Sequence, residues 1–199
     1  MAIRYVLDTN LFIDAFRDTA ENDALQRFHA AFAPFELFSA VVGHELKTGV
    51  RSPDDRRRLD RHLIGAFERS GRIVVPSYKA WTRSAVALAA LAETDGVTPA
   101  QFSRAFANDV LIAASCREVG ATLVTRNYRD FERIQRVIAF RSCRRGRPRG
   151  DSGSGERDLA AMNRRGDRAP VYNRGLGHVR IGNVRCERLT NRSLRMQCH

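Results

Sequence analysis

The chain alternates short apolar runs with longer segments in which apolar residues recur every three or four positions. Short runs bounded by turn residues are typical of buried strands, and the longer period is typical of helices packed on one side. The pattern predicts strands at residues 3–7, 35–39, 73–75, 121–125 and 137–140, and helices at 21–33, 41–49, 53–70, 77–93, 99–119 and 128–133, with another beginning after residue 10. This alternation indicates a three-layer α/β/α sandwich with a mainly parallel sheet of four to five short strands.

Polar residues follow two of the predicted strands. Asp8 ends the first strand, and the turn Thr125-Arg126-Asn127 ends the fourth. Ligands of parallel sheets bind outside the carboxyl ends of the strands. We therefore expect the functional site at this edge of the sheet.

The positive charge of the chain is concentrated after residue 140. Residues 141–199 contain 15 Arg, no Lys and five acidic residues, which accounts for +10 of the formal net charge of +12. The segment lacks a strong hydrophobic period, so it cannot bury enough apolar surface to offset the entropy lost on ordering. We expect a folded domain at 1–140 and a disordered Arg/Gly-rich tail at 141–199. The tail is either an RNA-contacting segment or an extension without selected function, and arginine without lysine favours the second.

Several protein classes are excluded by composition. The four cysteines lie far apart without a CxxC pair, so neither a zinc site nor a disulfide framework is indicated. The sequence begins without a signal-peptide pattern, and no apolar run is long enough to cross a bilayer. We expect a cytoplasmic protein with no membrane partner.

Asp109 lies on an apolar face of the predicted helix 99–119. The residues three, four and seven positions away share that face; they are Phe102, Ala105, Phe106, Ile112, Ala113 and Cys116. An isolated carboxylate among such residues is costly unless it binds a cation or strong hydrogen-bond donors. Asp109 is therefore a candidate metal ligand, with a structural acid paired to a buried arginine or to backbone amides as the alternative.

Two further acids occupy related positions. Glu45 shares a helix face with small and apolar residues, although an exposed helical glutamate would give a similar pattern. Asp8 is either a ligand in the cleft or a helix cap, and Thr9 and Asn10 could take the capping role instead.

The turn after the fourth predicted strand supplies more oxygen donors near the same edge. They are Thr125, Asn127 and Asp130, of which Asp130 could equally be a cap or a surface acid. Arg126, in the same turn, could steer a polyanion, although exposed arginines are usually only solvated.

Three blocks of the chain together resemble the PIN-domain family, in particular the VapC-type toxins of bacterial toxin–antitoxin pairs. The blocks are VLDTNLFIDAF, SAVVGHELKTG and NDVLIAASCREVGATLVTRNYRDFERI, and they occur in the expected order over residues 3–140. The resemblance implies a Mg²⁺- or Mn²⁺-dependent endoribonuclease, usually a homodimer, that is inhibited by a cognate VapB-type antitoxin. The tail matches nothing in the family.

The acids of the family motif fall on Asp8, Glu45 and Asp109, and the fourth acidic place holds Asn127, with Asp130 three residues further on. We hypothesise that these four aligned residues are catalytic, that Asp8 and Asp109 bind the principal Mg²⁺, and that Asp130 is an additional candidate ligand. A metal-activated water would attack phosphorus in line and leave a 5′-phosphate and a 3′-hydroxyl. The residues expected to position the substrate are Thr9, Thr125 and Arg126.

Two rival readings remain. Phosphoryl-aspartate phosphatases also place an Asp at the end of the first strand, but they need a second Asp two residues later, where this chain has Asn10. A non-catalytic RNA-binding or partner-binding module with a degenerate metal site would accommodate Asn127 and the basic tail.

Overall fold

The computed structural model of the protein describes residues 3–144. Five strands form one parallel sheet in the order β3-β2-β1-β4-β5. Their bounds are Arg4–Leu7 for β1, Glu36–Ser39 for β2, Ile73–Val74 for β3, Ala121–Thr125 for β4 and Arg141–Arg144 for β5. At the centre of the sheet, Val6 lies opposite Leu37 on one side and Leu123 on the other.

Helices connect these strands. Their bounds are Thr9–Arg17 for α1, Thr19–Phe32 for α2, Ala40–Gly49 for α3, Pro53–Leu59 for α4, Gly65–Arg69 for α5, Tyr78–Asp95 for α6, Arg104–Val119 for α7 and Tyr128–Gln135 for α8. A π-helical segment, Asp60–Ile64, joins α4 to α5. Serine side chains accept first-turn amide hydrogens at the starts of α3, α4, α6 and α7, which satisfies donors that a helix leaves free.

The sheet is covered on both faces, as the predicted three-layer sandwich requires. All five residues of β4 are buried, and a strand buried along its length must have packed layers above and below. Aromatic rings link the layers on the β2 side, where Phe38 contacts Phe12 at 5.7 Å and Phe67 at 5.2 Å between ring centroids. The predicted fold class is confirmed. No helix within residues 3–144 is both long and apolar enough to cross a membrane.

Two predicted elements differ from the structure. The helix predicted at 99–119 is divided into a 3-10 turn, Pro99–Gln101, and α7, whose N-cap is Ser103. The strand predicted at 137–140 is instead a turn after α8, because the amides of Val137 and Ile138 both donate to the carbonyl of Ile134. The edge strand follows at Arg141–Arg144.

The position of β5 extends the folded unit beyond the predicted boundary at residue 140. Its four residues pair with Thr122–Thr125 of β4, so the first four residues of the predicted disordered tail belong to the sheet. The remainder of that prediction, residues 145–199, lies outside the described residues.

The strand order places a crevice between β1 and β4. The chain runs from β1 outward to β2 and β3, then returns to the other side of β1 to form β4 and β5. The connection that follows β1 therefore runs toward β2, and the connection that follows β4 runs the opposite way, toward β5. Ligands of open parallel sheets bind at such a switch point. Asp8 and the turn after Thr125 both lie at this point.

Candidate active site

Asp8 caps a helix, and it is also one of the three acidic residues that the sequence singled out for this site. Its Oδ1 accepts a hydrogen bond from the Thr9 amide at 2.7 Å, which caps α1. Its Oδ2 accepts from Asn10 Nδ2 at 2.5 Å and from Thr125 Oγ1 at 2.6 Å. With an exposure of 3%, Asp8 is fixed between β1, α1 and the end of β4. The sequence left Asp8 as either a helix cap or a ligand in the cleft, and this geometry is compatible with both roles at once.

Glu45 projects from α3 toward α1 and α7. Its Oε2 accepts a hydrogen bond from Thr9 Oγ1, and its Oε1 accepts from Asn108 Nδ2 at 2.8 Å. Asn108 was missed by sequence reasoning, because it lies about 100° around the helix from Asp109 and outside the apolar face that singled out the aspartate. Its position directly before Asp109 was the one available signal.

Asp109 lies on α7 with 8% exposure. Its Oδ2 accepts a hydrogen bond from Asn127 Nδ2 at 3.0 Å, and the same amide donates to Asp130 Oδ2 at 2.9 Å. Asn127, in the aligned place of the fourth acid, therefore links Asp109 to Asp130. The predicted face is correct around Phe106, Ile112, Ala113 and Cys116, which are buried, whereas Phe102 precedes the helix and Ala105 is exposed.

The electrostatics of the site are set by burial and by mutual repulsion of the acids. The pKa of Asp8 is raised from 3.8 to about 6. Burial is the largest cause and the Glu45 charge acts in the same direction, while hydrogen bonds from Thr125, Thr9 and Asn10 oppose the rise. Burial also raises the pKa of Asp109 well above 3.8, followed by the charges of Asp8, Glu45 and Asp130. The acids are therefore close enough to oppose one another's ionisation.

In the described part of the chain, cationic side chains do not relieve this repulsion. Within residues 3–144, no Lys, Arg or His forms an ion pair with Asp8, Glu45 or Asp109. Among residues 3–144, therefore, no arginine pairs with Asp109 as that alternative requires. The partners that the three carboxylates do have are neutral hydroxyl and amide groups.

The donor set suits a hard divalent cation. Carboxylate and amide oxygens are the ligands that Mg²⁺ and Mn²⁺ prefer, and Mg²⁺ commonly uses one or two carboxylates and keeps several waters. In the described part of the chain no group of three or more His, Cys, Asp and Glu side chains is arranged as a ready metal cluster, so a site here would depend on Asp8 and Asp109 with water completing the coordination. Asn10 Oδ1 is buried and has no partner among residues 3–144, which leaves one more oxygen beside Asp8.

The residues expected to position substrate have different surroundings. Thr9 and Thr125 each hold a carboxylate, since Thr9 donates to Glu45 and Thr125 to Asp8. Arg126 instead lies mostly buried, with its guanidinium bound to Asp14 at 2.7 Å and to Glu21. Those two acids belong to α1 and α2, so Arg126 joins the turn after β4 to both helices. The structure offers no support for contact between Arg126 and substrate.

Comparison with known proteins identifies the family. The PIN-domain family model matches residues 5–137. The chain belongs to the PIN-domain family. Among curated proteins, none matches the sequence significantly.

Solved structures show the same fold at low identity. FitAcB from Neisseria gonorrhoeae is 22% identical with a TM-score of 0.50, over 68% of this chain and 96% of its own. DNA-bound VapBC from Salmonella typhimurium is 22% identical with a TM-score of 0.50, over 71% and 98%. FitAB bound to the IR36 DNA fragment is 20% identical with a TM-score of 0.51, over 69% and 94%.

Proposed function

We propose that the protein is a divalent-metal-dependent endoribonuclease and the toxic component of a type II toxin–antitoxin system. The observation that carries the proposal is the convergence of Asp8, Glu45 and Asp109 from β1, α3 and α7 without a balancing cation among residues 3–144. Such an arrangement costs stability unless a metal binds there. Membership of the PIN-domain family gives independent support for nuclease chemistry.

Asp8 and Asp109 would hold the metal, which supplies positive charge to a phosphodiester and lowers the pKa of a water. Thr125 keeps Asp8 in place through its hydroxyl, and Asn127 orients Asp109 and Asp130 through its amide. Glu45 is held at both oxygens by Thr9 and Asn108. We assign Glu45 the role of accepting a proton from the attacking water. Attack of that water on phosphorus, with departure of the 3′ oxygen, would leave a 5′-phosphate and a 3′-hydroxyl.

We also propose a cognate VapB-type antitoxin and a homodimeric state for this chain. The support is that the similar structures are FitAB and VapBC assemblies. Co-expression with the product of an adjacent reading frame for a small DNA-binding protein should yield a stable complex that lacks nuclease activity. Recovery of the toxin alone, with its activity unaffected by that product, would contradict the antitoxin proposal.

The nuclease test compares the full-length protein with Asp8→Asn and Asp109→Asn on mixed RNA in Mg²⁺, Mn²⁺ or EDTA. We expect the wild type to cut only with metal, and each variant to lose at least about a hundredfold in rate, as removal of a group central to the transition state typically does. Calorimetric titration with Mn²⁺ provides a readout besides cleavage. Intact RNA after incubation with folded, metal-bound wild type would refute the nuclease; cleavage that survives in both variants would refute the site.

One observation favours a second candidate, the non-catalytic RNA-binding or partner-binding module. Asn127 places a neutral amide between Asp109 and Asp130 where the family carries an acid, and no ready cluster of three ligands is present in residues 3–144. RNA binding without cleavage in any divalent metal would establish this candidate over the enzyme.

A further inference from the structure

A basic surface lies beside the helix that carries Glu45. Residues 47–61 contain six basic and three acidic residues, a net charge of +3, whereas residues 3–144 as a whole contain 21 basic and 17 acidic residues, a net charge of +4. Most of the excess positive charge of the described residues is therefore in this one segment. It comprises the end of α3, all of α4 and the start of the π-helical segment.

The acids of this segment neutralise only part of its positive charge. Lys47 Nζ pairs with Asp60 Oδ1 at 2.8 Å, Arg57 pairs with Asp54, and Asp55 is buried. Four exposed arginines of the segment form no ion pair with any acid among residues 3–144. They are called here the arginine ridge: Arg51, Arg56, Arg58 and Arg61.

The clustering of these charges costs stability in the protein alone. Arg61 follows Arg57 by four positions and Arg58 by three, and like charges at these separations in a helix oppose one another. The dipole of α4 favours cations in its last turn, but it explains neither Arg51, which precedes the helix, nor Arg61, which follows it. Binding of a polyanion would relieve the repulsion.

The arginine ridge adjoins the candidate active site through α3. Lys47 lies two residues after Glu45, a rise of about 3 Å along the helix. The same Lys47 holds Asp60, the residue directly before Arg61. Arg56 lies four residues before Asp60, and the Asp60 amide donates to the Arg56 carbonyl, so both side chains lie on the side of α4 that faces Lys47. The ridge therefore begins next to Glu45 and continues along α4.

We propose that the arginine ridge binds the phosphodiester backbone of single-stranded RNA outside the cleavage site. Guanidinium groups bind phosphate through paired N–H donors, and such backbone contacts give affinity without sequence preference. A single strand is flexible enough to pass from α4 to the cleft at Asp8, Glu45 and Asp109. These carboxylates repel a polyanion, and a neighbouring cationic surface offsets that repulsion. The choice of RNA rests on the proposed nuclease function.

The first test measures RNA binding without cleavage. Full-length protein is titrated into a fluorescein-labelled oligouridylate of about 20 nucleotides in EDTA, and anisotropy gives the affinity between about 50 and 300 mM NaCl. A ridge variant replaces three arginines: Arg56→Gln, Arg58→Gln and Arg61→Gln. A matched variant loses the same charge from three exposed arginines elsewhere that form no ion pair among residues 3–144: Arg17→Gln, Arg27→Gln and Arg136→Gln.

The salt dependence of binding reports how many phosphates the protein contacts. Each contact to a single strand contributes about 0.7 to the slope of log affinity against log salt concentration. The ridge variant should therefore lose about 2 from this slope and bind about 10- to 100-fold more weakly at about 100 mM NaCl. The matched variant should keep its slope within about 0.7 and its affinity within about threefold of wild type. The remainder of the chain is identical in both variants, so its binding does not affect the comparison.

Cleavage gives a second readout if the nuclease proposal also holds. On a long RNA that wild type cuts, the ridge variant should raise KM about tenfold or more and keep kcat within about twofold, because the ridge does not touch the reacting atoms. On the shortest fragment that wild type still cuts, which does not reach the ridge, kcat/KM should stay within about threefold of wild type. A structural defect would instead lower activity on both substrates.

The ridge and the nuclease fail separately in these experiments. If the ridge variant and the matched variant show the same affinity and the same salt slope, the ridge proposal is overturned whether or not RNA is cut. Equal losses on the long and the short substrate would also overturn it. Selective loss of binding in the ridge variant of a protein that cuts no RNA would support the ridge and refute only the nuclease. Arg58→Gln alone, which should lose about 0.7 from the slope, serves as the test if the triple variant folds poorly.

Discussion

Removal of the Asp8 charge should stabilise the protein when no divalent cation is present. The pKa of Asp8 is about 6 in the folded protein against an ordinary value of 3.8. The difference of about two units corresponds to about 3 kcal/mol. Well below pH 3.8, Asp8 is protonated in both the folded and the unfolded protein, so burying its side chain carries no charge penalty. As the pH rises from 3.8 to 6, Asp8 loses its proton in the unfolded chain but keeps it in the folded protein, so the free energy of unfolding falls. Above pH 6 Asp8 is charged in both states, and the folded protein carries the whole destabilisation of about 3 kcal/mol.

Asp8→Asn removes this cost and keeps most of the local hydrogen bonds. The amide oxygen can still accept from the Thr9 amide, and the new NH₂ group would face Thr125 Oγ1, which can accept. Rotation of the Asn10 amide would turn its Oδ1, buried without a partner among residues 3–144, toward the same NH₂. Allowing about 1 kcal/mol for imperfect geometry, we expect a net gain of about 2 kcal/mol at pH 7.

Thermal unfolding of the full-length protein in EDTA measures this effect. The gain should raise the melting temperature by about 5–10 °C, and the wild type should become more stable from pH 7 to pH 5, with a smaller change in Asp8→Asn. Mn²⁺ should stabilise the wild type and have little effect on the variant. Asp23→Asn, a change at an exposed acid, should stay within about 0.5 kcal/mol of wild type. A variant less stable than wild type in EDTA at pH 7 would show that the hydrogen bonds of Asp8 outweigh its burial and repulsion.

Arg126→Met should lower the free energy of unfolding by about 2 kcal/mol, because it leaves two carboxylates facing each other without their cation; unchanged urea unfolding would contradict this. Burial raises the pKa of Cys116 to about 12, so iodoacetamide at pH 8 should modify Cys116 only after unfolding, and rapid labelling of that residue in the native protein, located by peptide mass analysis, would be inconsistent with this environment. A chain ending at residue 140 lacks β5 and should be less stable by at least about 2 kcal/mol than one ending at residue 144, since it exposes the edge of β4; equal melting temperatures would show that β5 contributes nothing.

Most of the fold follows from local patterns. Strand β4 is an apolar, β-branched run, and α3 and α6 begin at serine caps, so their types could be read from short windows of sequence. The edge strand β5 was misplaced, because Ile138 is buried like a strand residue while its amide is used in the turn after α8. The sequence RSCR of β5 has no such pattern, and its pairing with β4 defines it as a strand.

The candidate acids were visible in the sequence because each had a local signature. Asp8 follows a strand, and Asp109 interrupts an apolar helix face. Their hydrogen-bond partners had no such signature. The bond from Asn108 to Glu45 spans 63 positions, and the bond from Thr125 to Asp8 spans 117.

The sequence by itself determined the α/β class and the acids at the carboxyl edge of the sheet, because strand and helix periods and isolated buried charges are properties of neighbouring residues. The tertiary structure alone decided which neutral groups hold those acids, and that Arg126 is bound to Asp14 and Glu21 instead of facing a substrate. It also decided that the aromatic side of α6 faces solvent. These features depend on how distant segments pack, because packing determines which side chains meet and which helix faces stay uncovered, and no short window of sequence contains that information.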